Sequence, residues 1–176
     1  MREFSERILT APRKTKTGPL HAFALVVIPL GAILFGVYVT RFIPALSYLE
    51  LPLLITLHFA LSGRSAIPSV FYGAAIGLAQ DSLSRQPIGM YGIVKTLVGY
   101  FAASVSVRLE IENPIITFIL ALFFYLFHNF FYWVLVRALL GQPAVFDPQQ
   151  NLIFGLLNAA VAVPLFKLLD KLKVPA

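Results

Sequence analysis

An all-α bundle of six transmembrane helices is the fold this sequence predicts, and three observations carry that expectation. Of its 176 residues 59% are hydrophobic and only 12% charged, whereas soluble domains are about half apolar and a quarter charged. The apolar residues form six blocks near the roughly 17 to 25 residues needed to cross a bilayer. The basic residues gather at the block ends, where they report membrane orientation. The formal charge of +6 is therefore read as a membrane signature, and nucleic acid is not an expected partner.

Taken in order, residues 1–19 form a basic tail with Arg2, Arg7, Arg13, Lys14 and Lys16. Phe4, Ile8 and Leu9 among those charges leave two readings open, a solvated tail or a short amphipathic helix on the inner surface that Pro12 ends. The first apolar block, residues 20–42, is longer than a signal-peptide core of about 7 to 15 residues and is followed by no small-x-small site, so a retained helix is expected. Blocks two and three, residues 47–62 and 66–83, are short and interrupted by Pro52 and Pro68, so one of them is a candidate for a tilted or re-entrant segment. Residues 88–107, 114–140 and 151–169 complete the set, with a turn-rich connection at 141–150 marked by Pro143, Asp147 and Pro148. The transmembrane domain thus covers 20–170, and residues 171–176 form a short tail.

Both ends are expected in the cytoplasm, because Lys167, Lys171 and Lys173 answer the basic N-terminal tail. With Arg64 and Arg108 this puts ten of the fourteen Lys and Arg inside. Arg41, Arg85 and Arg137 fall outside and Lys95 lies within a span. A five-span chain would export one basic end, which fits the charge pattern less well.

Small residues four apart let membrane helices pack closely. Such pairs are Ala32 and Gly36, Gly73 and Gly77, Gly99 and Ala103, and Gly155 and Ala159. Internal packing is the leading use for each, and docking of a partner helix is the other, with Gly73, Gly77, Gly89, Gly99 and Ala103 as the candidate face.

Depth, counted at about 1.5 Å per residue, puts Asp81, Lys95, His128, Asn129 and Asn158 in the outer half of the bundle. Together they suggest an outward polar cavity or a buried hydrogen-bond cluster. Asp81 and Lys95 flank the turn of a glycine-rich hairpin, and each charge alone is costly in lipid. An ion pair that closes the hairpin is the leading reading; ligand contact and proton relay are the others. Glu50 and Arg41, near the outer interface, are explained by snorkelling, and His58 stands alone on an apolar helix.

Catalytic signatures are absent from the sequence. There is no HExxH, no GxSxG and no phosphate-cradling glycine loop, and His21, His58 and His128 lack metal-ligand spacing. Without cysteine there is no thiolate chemistry. No enzyme activity, cofactor or metal is expected.

The runs Gly77-Leu-Ala-Gln-Asp81-Ser-Leu-Ser84, Pro87-Ile-Gly89 and Leu97-Val-Gly-Tyr100, with the closing Leu157-Asn158-Ala-Ala-Val-Ala-Val-Pro164-Leu-Phe, resemble the MreD family of rod shape-determining proteins. That resemblance implies a non-catalytic scaffold in the bacterial inner membrane. Its partners would be MreC, MreB, and the peptidoglycan synthase RodA with its transpeptidase, alongside membrane lipid. It also implies a fold similar to the substrate-binding components of energy-coupling-factor vitamin transporters, which keeps a small-ligand binding component as the second reading. The long basic tail and Lys95 depart from the family pattern.

Overall fold

The computed structural model describes residues 22–63, 65–84, 87–109, 111 and 113–172. The expectations for the tail at 1–19, and for His21, Arg64, Arg85 and Lys173, lie outside the described residues. The rest is helical, with no strand among the described residues. Helix α1 runs Ala22–Leu34, passes through a π-helical turn at Phe35–Val39 and ends with Thr40–Phe42. A 3-10 turn, Pro44–Tyr48, leads into α2, Leu51–Gly63. Then follow α3 (Ala66–Ser84), α4 (Met90–Ser106), α5 (Pro114–Leu140) and α6 (Pro148–Asp170). Four stretches are long and apolar enough to cross a membrane: Ala24–Phe42, Leu46–Gly63, Pro114–Leu140 and Pro148–Asp170. The six-helix membrane bundle expected from the sequence is the fold of this protein.

Two boundaries differ from expectation, each for a local reason. The second block starts as a 3-10 turn, and its α-helix begins only at Leu51. The last helix begins at Pro148, earlier than residue 151, because Asp147 caps it. The Asp147 carboxylate accepts from the N–H groups of Gln149 and Gln150 at 3.0 and 3.1 Å, satisfying donors that a helix start otherwise leaves open. Asn113 does the same for α5 through Ile115, with Pro114 at the first helical position, where no N–H is needed.

Helix α4 is the centre of the bundle and packs on α2, α3 and α5. Val98, Ala102 and Ala103 of α4 join Leu53, Leu57 and Leu61 of α2, Ala121 and Phe124 of α5, and Ala159 and Phe166 of α6 in the main apolar core. A smaller cluster ties α1 in through Ala32 and Ile33 against Ile55, Ile76 and Leu169. Between α3 and α4 the backbones touch. A methyl group on Gly73 would overlap the Lys95 carbonyl, one on Gly77 the Tyr91 carbonyl, and one on Gly99 the Ser69 carbonyl. The small residues of these two helices therefore face each other, which is how membrane helices gain dispersion contact without a hydrophobic driving force.

Two further polar contacts tie helices together. Pro29 has no N–H for the Leu25 carbonyl one turn earlier, and the Tyr72 hydroxyl of α3 donates to that carbonyl instead. Asn158 of α6 donates to the Tyr48 carbonyl at 2.7 Å while accepting from the Glu50 N–H at 2.9 Å. One amide thereby stitches the last helix to the start of α2.

Candidate functional site

The α3–α4 turn is built around Asp81, which is 1% exposed. Its carboxylate accepts from three backbone N–H groups at the start of α4: Gly89 at 2.9 Å, Tyr91 at 3.0 Å and Gly92 at 3.1 Å. These are the orphan donors of a helix N-terminus, where the dipole also favours an anion. Gly89 holds a left-handed conformation, φ 102°, that costs glycine least. The turn thus needs an acceptor from α3 and a glycine at its exit, and the sequence supplies both.

Lys95, 0% exposed, does not pair with Asp81 as the hairpin reading expected. Its ammonium lies 3.3 Å from His128 Nε2 and 4.5 Å from the centre of the Tyr91 ring. Asp81 is already engaged at the helix start, one and a half turns away along α4, which is why the two charges do not meet. With lysine as the donor, His128 Nε2 accepts and the imidazole proton sits on Nδ1, a buried atom with no partner among the described residues. Tyr91 stacks on Tyr132 at 4.8 Å and 17° and lies parallel to His128 at 5.8 Å and 4°. The ammonium is therefore held by an imidazole and a ring face, a cation–π arrangement that gains from exclusion of water. The carboxylates whose charges reach it are Glu50 and Asp81.

Glu50 corrects another expectation. It does not snorkel outward: its Oε2 is buried and has no hydrogen-bond partner among the described residues, and it lines a cavity of about 340 Å³ between α1 and α3. Arg41 is at the rim of that cavity, its guanidinium 5.7 Å over the Tyr38 ring. Of the five polar residues expected to form an outward cavity or a buried hydrogen-bond cluster, Lys95 and His128 are brought together, while Asp81 and Asn158 bond to backbone elsewhere. None of them lines this cavity, Asn129 lines a second one of about 280 Å³ under the 141–147 connection, and Asn158 is occupied at the start of α2. His58, expected to stand alone, is hydrogen-bonded to Asp170 at 2.9 Å, an ion pair when the imidazole is protonated.

Of the candidate docking residues, Gly89 adjoins open space at the turn and the other four are packed inside. Gly73, Gly77 and Gly99 lie inside the α3–α4 interface and Ala103 is in the main core, so that face is not open to a partner. Tyr72 and Tyr91, which sequence reasoning passed over, are the aromatic members that matter here. Pro29 was the available signal for Tyr72, since a proline within an apolar helix orphans a carbonyl that some donor must meet. Among the described residues no three His, Asp or Glu side chains converge as a metal site requires.

The family model of the rod shape-determining protein MreD matches residues 19–173, nearly the whole chain. No curated protein and no solved structure matches it.

Proposed function

Because the chain belongs to the rod shape-determining protein MreD family, a family of membrane proteins that determine cell shape, we propose that it is a non-catalytic scaffold of the bacterial cell-elongation machinery. In this reading it sits in the inner membrane with both ends in the cytoplasm. It holds the transmembrane helix of MreC, and through MreC it joins the MreB filament to peptidoglycan synthesis by RodA and its transpeptidase partner. The basic ends meet anionic lipid, which attracts such segments by about 1 kcal/mol per charge.

The observation that carries the reading is the exposure of α1. Only 17% of its apolar window is buried, against 50% for the window that contains α2. Val27, Gly31, Leu34 and Tyr38, spaced four, three and four apart, are exposed along one side, and nothing lies within 4 Å of where a side chain on Gly31 would begin. A small residue amid larger apolar ones is what a second membrane helix needs for close approach. The docking face is thus moved from the glycines of α3 to the outward seam of α1. Co-purification of MreC tests it: Gly31→Leu is expected to lose the complex while the bundle keeps its thermal stability. An intact complex from that variant would remove the α1 seam from the account.

The small-ligand reading has less behind it, since its five polar residues are divided among separate structural tasks.

A further inference from the structure

Along α1 and α3 lie two neighbouring, chemically different cavities that share Ile33 and together make one groove-like surface. The first, about 250 Å³, is lined by apolar residues including Leu25, Leu30, Ile33, Ile76 and Ala79. Its one polar group, the Tyr72 hydroxyl, is already bonded to Leu25. The second stretch is the 340 Å³ cavity, and Ile33 belongs to both linings while Ala79 and Gln80 continue one into the other. The π-helical turn and Gly36 give this cavity its room, because the widened turn displaces the α1 backbone and a side chain at Gly36 would meet only open space.

Apart from Arg41 and Tyr91, the polar side chains that line the cavity offer acceptors. Glu50 Oε2 and Gln80 Oε1 are buried and unpartnered among the described residues. Thr40, Ser47 and Ser84 each donate their hydroxyl proton to a carbonyl of their own segment, Gly36, Pro44 and Gln80, which leaves their lone pairs as further acceptors. A buried carboxylate oxygen without a donor is costly, so the complementary group brings N–H donors and positive charge. Arg41, exposed at the mouth, offers the opposite complement, a guanidinium suited to phosphate.

We propose that this groove binds an ethanolamine phospholipid. An acyl chain lies in the apolar stretch, the primary ammonium donates to Glu50 and Gln80, and the phosphate meets Arg41. A choline headgroup carries the same charge but no N–H, and a glycerol headgroup has O–H donors but no positive charge, so neither supplies a charge-assisted hydrogen bond to the carboxylate. A transmembrane helix, about 10 Å across, is too thick for a groove of this volume. Val27, Gly31 and Leu34 of the seam offered to MreC are outside the lining, and the two readings meet only at Tyr38, over whose ring the Arg41 guanidinium lies.

Native mass spectrometry of the purified, delipidated full chain tests the site by titration with ethanolamine, choline and glycerol phospholipids of matched acyl chains. Ethanolamine lipid is expected to bind about tenfold more tightly than choline lipid, the ~1.4 kcal/mol of one charge-assisted hydrogen bond. Glu50→Gln should erase that preference, and Arg41→Gln should weaken ethanolamine and glycerol lipids alike. If Glu50→Gln does not fold, competition on the unaltered protein decides: phosphoethanolamine without tails should fail to displace the lipid. Equal binding of the three lipids, a preference for glycerol lipid, or displacement by the free headgroup would overturn the proposal.

Discussion

The α3–α4 hairpin and helix α1 are built on opposite plans. In the hairpin the backbones touch at Gly73, Gly77 and Gly99, and Asp81 closes the turn on three N–H groups. Helix α1 carries Pro29 in its interior, is widened by a π turn and is left mostly uncovered. Glycines therefore do different work in the two places. In the hairpin they are consumed by internal packing, and on α1 Gly31 and Gly36 adjoin open space. A close-packed seam between two helices can hold shape, while glycines beside open space leave room for a partner or a lipid.

Substitutions that separate the two plans should differ in size. The largest effect is expected from Gly77→Leu, because the clash is with backbone on the facing helix and neither helix can yield. Overpacking of this kind costs about 3 kcal/mol or more, seen as loss of monodisperse protein and a lower melting temperature in detergent. An unchanged melting temperature would mean that α3 and α4 do not meet at their glycines.

Asp81→Ala comes next. It strands three buried donors, and with hydrogen bonds to a charged group contributing about 1.5 to 3 kcal/mol, a loss of about 2 to 3 kcal/mol is expected in reversible unfolding. Asp81→Asn should retain part of it, since one amide oxygen still accepts. If the two variants lose equally, the negative charge at the helix start matters more than the acceptor geometry.

Lys95→Met should change stability least, within about 1 kcal/mol, or raise it. A buried charge replaced by an apolar side chain of similar volume is often neutral or stabilising, and Lys95 meets an imidazole and a ring in place of a carboxylate. A loss as large as that of Asp81→Ala would restore the ion pair that the sequence suggested.

The divergence between these two charges marks where sequence reading stops. Six apolar blocks and the clustering of basic residues made the bundle legible, and the ordered motifs around Gly77, Asp81 and Gly89 made the hairpin legible. What spacing could not give was direction. Asp81 and Lys95 flank the same turn, yet the nearest attraction for Asp81 is a helix N-terminus, which carries no charged residue to count. For Glu50, depth along the helix does not say whether a side chain turns to lipid or to a cavity. The glycine pairs announced close packing without naming the helix on the other side. The structural role of Tyr72 follows from Pro29, and was readable only by asking which carbonyl that proline orphans, whereas no local signal announced the bonds of Asn158 to the start of α2.

The central claim is that α1, and not the glycine hairpin, is the surface this scaffold presents to MreC. The absence of cysteine from the chain makes disulfide cross-linking in membranes the most direct measurement. Single cysteines at Val27, Leu34, Phe71 and Ile119, all exposed, would be paired with cysteines along the MreC transmembrane helix. Cross-links are predicted from Val27 and Leu34 and not from the α5 position Ile119. Cross-linking from Ile119 with none from α1 would contradict the account.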